Sequence, residues 1–300
     1  MITSQNPLFF GAASEIITPF SGDGKLELGL LKNEVEFMID NGITGFFVNG
    51  LASEALMMTD AERRSEALTV RETSEGKVPV MGNIIANSIS EGIRTARQYQ
   101  EMGMDAITIT SPLVYKYTLD GLYAFFVEIA ASVDLPVYIY NAPETGNKLP
   151  PGLVARIFNQ NPNFIGYKDS TQNIIELQTL LMHLEDGRHF ELLSGSDALT
   201  MPVMMLGGLG VISLISVVFP KLIVNTCAAC SAQDWEKATE LQNKVLRVRE
   251  ALKIGPFMAA YKYVGAKTGN PLGVVKRPLS SLNEREMGSI TNILSAEGLL

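Results

Sequence analysis

Histidine and cysteine are scarce in this chain of 300 residues, with two of each and a single tryptophan. The two histidines, His183 and His189, exclude a three-histidine metal centre and leave little for a Ser-His-Asp triad. They flank an acidic turn, as surface loop residues do. Cys227 and Cys230 have C-x-x-C spacing, but no second Cys or His pair stands near them. No metal site is expected, and they read as two small residues buried on one helical face. Positive charge is also short: 24 Lys and Arg stand against 32 Asp and Glu, a formal net charge of -8. Nucleic acid is thereby excluded as a main partner, because phosphate recognition needs basic surface. No uncharged apolar run reaches about 18 residues, so no membrane-spanning helix is expected. The N-terminal stretch lacks the basic start and apolar core of a signal peptide, and a cytoplasmic location is the expectation. What the chain has in quantity is apolar side chain, 46% of its residues, enough for a large core.

Those apolar residues fall into short β-rich runs alternating with longer helical patterns. The runs are 12–17, 45–49, 78–82, 106–110, 137–140, 164–168, 191–194 and 210–213. Helical periodicity covers 28–41, 60–74, 90–102, 119–131, 151–159, 174–184 and 199–206. Regular βα alternation predicts a parallel sheet covered by helices. Eight such units fit a closed (β/α)8 TIM barrel better than an open doubly wound sheet. The near-continuous apolar character of the runs agrees with strands buried on both faces. After residue 231 the strand signal stops, and 233–251, 256–268 and 284–296 read as helices. The expected organisation is a barrel over 1–231 carrying the active site, followed by a three-helix region over 232–300 too small for an independent core.

In such barrels the site is built at the C-terminal ends of the strands. One lysine and one tyrosine stand immediately there, Lys168 ending the sixth run and Tyr140 the fifth. A lysine at the end of a buried strand loses solvation, so its neutral amine becomes available to attack carbonyl carbon. A neighbouring hydroxyl can move the protons that imine formation requires.

On these and other segments the chain resembles the dihydrodipicolinate synthase/N-acetylneuraminate lyase family of pyruvate-dependent class I aldolases and lyases. The resemblance is carried by Tyr140-Asn141-Ala142-Pro143 with Thr145-Gly146, and by Ile165-Gly166-Tyr167-Lys168-Asp169-Ser170. Leu193-Ser194-Gly195-Ser196-Asp197 and the glycine-rich 206–213 segment ending Ile212-Ser213 add to it. It implies that Lys168 forms an imine with a 2-oxo acid, that Tyr140 shuttles protons, and that the backbone around Ile212 lies beside the bound acid. Gly195 joins this substrate-binding set. It also implies a homo-oligomer, a dimer or a tetramer of paired dimers. No metal or organic cofactor is expected, because the protonated imine is itself the electron sink.

Three departures stand out. The loop after the second strand, usually rich in threonine or serine hydroxyls that hold the substrate carboxylate, reads Gly50-Leu51-Ala52-Ser53-Glu54. Leu51 and the amides of Ala52 and Ser53 are left to bind that carboxylate, with Ser53 offering one hydroxyl. Glu54 reads as holding the loop. After the fourth strand, Pro112 is followed by Leu113 and Val114, with Tyr115 and Tyr117 offset from the family's tyrosine pair. After the fifth strand, Glu144 stands nearest the position where a synthase carries an arginine. An acid there repels an acidic aldehyde and suits a polyol or a cation instead. Asp197 either meets a sugar hydroxyl or caps the helix beginning near Ala198. The expected partners are thus a small 2-oxo acid and an aldehyde. The expected reaction is retro-aldol cleavage of a 2-oxo-3-deoxy sugar acid or a similar compound. The alternatives are an imine-dependent dehydratase, a true dihydrodipicolinate synthase, or a barrel that binds a keto acid without turnover.

Overall fold

The computed structural model describes residues 6–300. Eight parallel strands follow one another in chain order around a closed ring: β1 (Gly11–Glu15), β2 (Gly45–Val48), β3 (Val80–Ile84), β4 (Ala106–Thr110), β5 (Val137–Asn141), β6 (Phe164–Asp169), β7 (Glu191–Ser194) and β8 (Gly210–Ser213). β1 closes the ring on β8, with Ala13 opposite Ile212. The covering helices are α1 (Leu28–Asp40), α2 (Asp60–Ser74), α3 (Ile89–Glu101), α4 (Leu119–Ala130), α5 (Pro151–Gln160), α6 (Ile174–His183), α7 (Thr200–Met205) and α8 (Pro220–Ser231). The chain continues as α9 (Trp235–Leu252), α10 (Ala259–Lys267) and α11 (Glu284–Ala296). The expected (β/α)8 barrel is therefore the observed architecture.

Local signals account for the element ends. Thr59 accepts from the Glu62 amide while the Glu62 side chain accepts from the Thr59 amide, a reciprocal cap that starts α2. Asn283 and Glu286 do the same for α11. β3 begins two residues later than the apolar run suggested. Pro79 has no amide hydrogen to give the ladder, so regular pairing starts at Val80. Cys227 and Cys230 are both free and buried in α8. His189 lies 2.8 Å from a carboxylate oxygen of the buried Glu191, rather than standing alone on the surface.

Two apolar layers result. The larger fills the space between sheet and helices and takes in Val245, Ile290 and Leu294 of the C-terminal helices. The region 232–300 thus shares the barrel's core. The smaller layer fills the barrel and includes Phe9, Phe47, Tyr138, Tyr140, Leu193 and Ile212. At the N-terminal end of the barrel Glu191 accepts the amides of Leu8 and Phe9 at 2.8 and 3.1 Å and the Tyr138 hydroxyl. The Phe9 ring meets Tyr138 edge-on at 5.7 Å. This plug leaves the opposite end of the barrel for a site. Among the described residues no helix is long and apolar enough to cross a membrane.

Candidate active site

Side chains alternate across a strand, so Gly166 and Lys168 of β6 both face the barrel interior. Gly166 has no side chain because the Tyr138 ring fills that place. Tyr138 pairs in register with Gly166, and one step along, Tyr140 pairs with Lys168. The register of two adjacent strands thereby delivers a lysine and a tyrosine side by side at the C-terminal end.

The Lys168 ammonium group is only 1% exposed. It lies 3.6 Å from the centre of the Phe47 ring and 4.0 Å from that of Tyr140, and the two rings meet edge to face at 5.8 Å. Among the described residues its charged partner at bonding distance is Glu15, whose Oε2 accepts from Nζ at 3.0 Å. Burial pulls the Lys168 pKa below the ordinary lysine value, while the Glu15 carboxylate pulls the other way. Burial is the larger effect, so the ammonium group gives up its proton more readily than an exposed lysine does.

Glu15 ends β1, and its other oxygen, Oε1, accepts the Ala52 amide at 2.9 Å. Only a glycine fits at position 50, because a Cβ there would collide with the Glu15 carboxylate and the Phe47 ring. One of the two amides expected to bind a substrate carboxylate, that of Ala52, is therefore already occupied by a carboxylate of the chain itself.

Tyr140 is buried, and burial with the nearby Glu15 charge pushes its phenol above the ordinary range. Its hydroxyl lies 3.2 Å from Ser170 Oγ, which lies 3.0 Å from the Gly195 carbonyl. The hydroxyl next to Tyr140 is thus supplied by the residue that follows β6. When Ser170 donates to Gly195, its lone pair is free to accept the Tyr140 proton.

Above these groups opens a cavity of about 480 Å³. Glu15, Leu51, Ala52, Tyr140, Glu144, Gly195 and Asp197 line it, as do Arg249 and Lys253 from the end of α9. Most of the residues expected at the site are therefore brought together. Two expectations need correction. Ser53 is fully buried and donates its hydroxyl to the Ile16 carbonyl at 2.7 Å, so that hydroxyl anchors the end of β1 rather than a ligand. Asp197 accepts the Ser213 hydroxyl and the amides of Leu214 and Ile215 at 3.2 and 3.3 Å. It caps the turn after β8 and not the helix that follows it in sequence. Ile212 lies in the barrel filling with Tyr140, below the cavity. Glu144 is exposed on the rim.

The loop itself is pinned from beneath. Glu54, in the left-handed region at φ 60°, pairs with the buried Lys262 of α10 at 2.7 Å and accepts the Lys276 amide at 2.6 Å. Lys262 also donates to the carbonyls of Thr18 and Val274 at 2.8 and 2.7 Å. The C-terminal helices therefore support the strand-one and strand-two loops as well as lining the cavity.

Sequence reasoning missed Glu15, Ser170, Arg249 and Lys253. A signal for Glu15 existed: it is the sole charged residue before Asp23, set in an otherwise uncharged apolar strand. No local pattern marks Arg249 and Lys253, which sit on a helix remote in sequence from every strand end.

The model of the dihydrodipicolinate synthetase family matches residues 8–297. A 4-hydroxy-tetrahydrodipicolinate synthase of Methanococcus maripaludis is 30% identical over 97% of this chain and 99% of its own. The synthase of Methanosphaerula palustris is 32% identical over 96% and 99%. Among solved structures, the dihydrodipicolinate synthase of Thermotoga maritima superposes with a TM-score of 0.92 at 28% identity, covering 98% of this chain and all of that one. A prophage protein of the same family from E. coli K12, solved in complex with pyruvate, gives 0.93 at 27% identity, with coverage of 98% and 100%. With the matched barrel, the chain belongs to the dihydrodipicolinate synthetase family, whose members are enzymes of the class I aldolase and lyase type.

Proposed function

We propose that this protein is an imine-forming carbon–carbon lyase in which Lys168 is the nucleophile and Tyr140 the proton relay. The observation that carries the reading is the buried amine of Lys168, in register with Tyr140 and directly beneath the Tyr140 and Glu15 side chains that line a substrate-sized cavity. The neutral amine attacks a carbonyl carbon, and loss of water leaves a protonated imine. That cation takes up the electrons of the bond between the α and β carbons: the β hydroxyl loses its proton, the bond breaks to an aldehyde and an enamine on Lys168, and the reverse forms it. Tyr140, passing its proton to and from Ser170, serves the substrate hydroxyl. No organic cofactor is required in this chemistry.

The family relationship brings forward 2-oxo acids as the carbonyl partner, with retro-aldol cleavage of a 2-oxo-3-deoxy sugar acid as one reaction. Dehydration through the same imine is a variant of it. The second reading is the synthase activity of the named relatives. Arg249 and Lys253 at the cavity mouth supply positive charge for an acidic aldehyde, whereas Glu144 opposes it. Binding without turnover would show as trapping at Lys168 with neither cleavage nor condensation. Assembly as a homo-oligomer belongs to this proposal, and sedimentation velocity reads it.

Borohydride reduction in the presence of small carbonyl compounds, followed by peptide mass mapping, tests the mechanism. An adduct at Lys168, absent in Lys168→Ala, is expected. A folded protein that gives no Lys168 adduct with any carbonyl compound overturns the reading.

A further inference from the structure

The most unusual group in the barrel is the Glu15 carboxylate. A 2-oxo acid attacked by Lys168 carries its carboxylate one bond from the carbon that bonds to Nζ. That carboxylate must therefore lie close to Nζ and needs an amide donor nearby. Both features are already in use: Glu15 Oε2 stands 3.0 Å from Nζ, and Oε1 takes the Ala52 amide at 2.9 Å. The seat is built rather than incidental, since the Gly50 backbone and the Phe47 ring are packed against Glu15, which is 5% exposed. The hydroxyl of the loop's one serine, Ser53, is committed to the Ile16 carbonyl.

We infer that Glu15 takes the place of a substrate carboxylate, so that the site accepts an aldehyde or ketone whose carbonyl carbon bears hydrogen, alkyl or hydroxymethyl rather than a carboxylate. This rests on the imine reading above, and for the carbonyl partner it sets a compound without that carboxylate in place of the 2-oxo acids that the family relationship brings forward. The charge inventory argues the same way. One buried cation and one buried anion balance; a second anion beside Nζ would lie in an apolar barrel without a partner. With a neutral carbonyl compound the balance holds throughout. Glu15 takes a proton from the Lys168 ammonium group, and the free amine adds to the carbonyl to give a carbinolamine. The Glu15 carboxylic acid then returns its proton to the departing hydroxyl. Water leaves, and the protonated imine remains paired with the Glu15 carboxylate. The net change is one carbonyl oxygen released as water and one C=N bond formed, with no oxidant or reductant.

The test compares reductive trapping of pyruvate and hydroxyacetone at equal concentration and pH 7, read as the rate of adduct formation at Lys168. It uses the wild-type protein, Glu15→Gln and Glu15→Ala, each checked for folding by circular dichroism. In the wild type hydroxyacetone is expected to label Lys168 at least tenfold faster than pyruvate. Glu15→Gln keeps the side-chain size and the acceptor for Ala52 but removes the charge, and is expected to shift the ratio at least tenfold toward pyruvate. Glu15→Ala also vacates the Ala52 amide and is expected to shift it further. Using the ratio separates selectivity from any general loss of rate. Pyruvate labelling Lys168 as fast as hydroxyacetone in the wild type, or a ratio unchanged in Glu15→Gln, overturns the inference and leaves the imine reading standing. No Lys168 adduct with either compound in the folded wild type overturns both.

Discussion

Lys168 and Glu15 are 153 positions apart in the chain, yet Lys168 Nζ donates to Glu15 Oε2 at 3.0 Å inside the barrel. β6 supplies one and β1 the other, and neither side chain has appreciable contact with water. Removing one partner leaves the other charge buried without compensation. Lys168→Met is therefore expected to cost about 3–5 kcal/mol of stability. The double variant Lys168→Met/Glu15→Leu recovers most of that loss, because no buried charge remains. Urea denaturation of the three proteins checks it; equal stability of the single and double variants would contradict the pairing.

The availability of the amine sets a pH dependence. Burial disfavours the Lys168 ammonium form, so its folded pKa lies below the ordinary 10.5. The trapping rate at Lys168 should rise with pH and level off at a lower pH than the labelling of free lysine amines does. A profile coincident with that of surface lysines would mean that Glu15 outweighs burial.

Tyr140→Phe keeps the ring beside Lys168 and removes the hydroxyl. Loss of a positioned proton relay is expected to lower kcat about 10²–10⁴-fold, with a much smaller change in KM. Ser170→Ala, which removes the relay's next oxygen, should act in the same direction but more weakly. Steady-state kinetics on any turned-over substrate decides; an unchanged kcat in Tyr140→Phe would remove Tyr140 from the chemistry.

A second buried carboxylate acts on stability alone. Glu66 accepts the Thr18 hydroxyl and the Asn49 amide under the β1 and β2 loops. Burial raises its pKa to about 7, with Glu15 adding to the rise and Lys262 opposing it. Glu34 beside it is raised as well. The folded state holds this proton more tightly than the unfolded state does. The stabilising contribution is therefore complete below about pH 4.5 and is lost as pH rises through about 7. Its size is about 3 kcal/mol at most. Glu66→Gln should flatten that part of the stability–pH curve, as read by urea denaturation from pH 4 to 8.

Gly50→Ala places a methyl group against the Glu15 carboxylate and the Phe47 ring. Overpacking at such a site is expected to cost about 1–3 kcal/mol. It should also displace Glu15 from the Ala52 amide, slowing Lys168 trapping. Wild-type trapping and an unchanged melting temperature would show that the seat is looser than the packing indicates.

The barrel was legible because parallel strands buried on both faces write themselves as continuous apolar runs, and helices as longer periodic ones. Lys168 and Tyr140 were legible because each is the polar residue that ends such a run. Ser53 and Asp197 were misassigned for a shared reason. Their loop positions do not reveal which backbone groups lie across from them, and the Ile16 carbonyl and the Leu214 and Ile215 amides claim them. Sequence alone determined the fold class, the family motifs and the lysine–tyrosine pair, since those depend on local periodicity and on residue type at strand ends. Only the tertiary structure decided that Glu15 sits against Lys168 and the Ala52 amide, that Ser170 serves Tyr140, and that Arg249 and Lys253 reach the mouth. Those relationships depend on how the strands register around a closed ring and where α9 lies across it, and no neighbouring residue records that geometry.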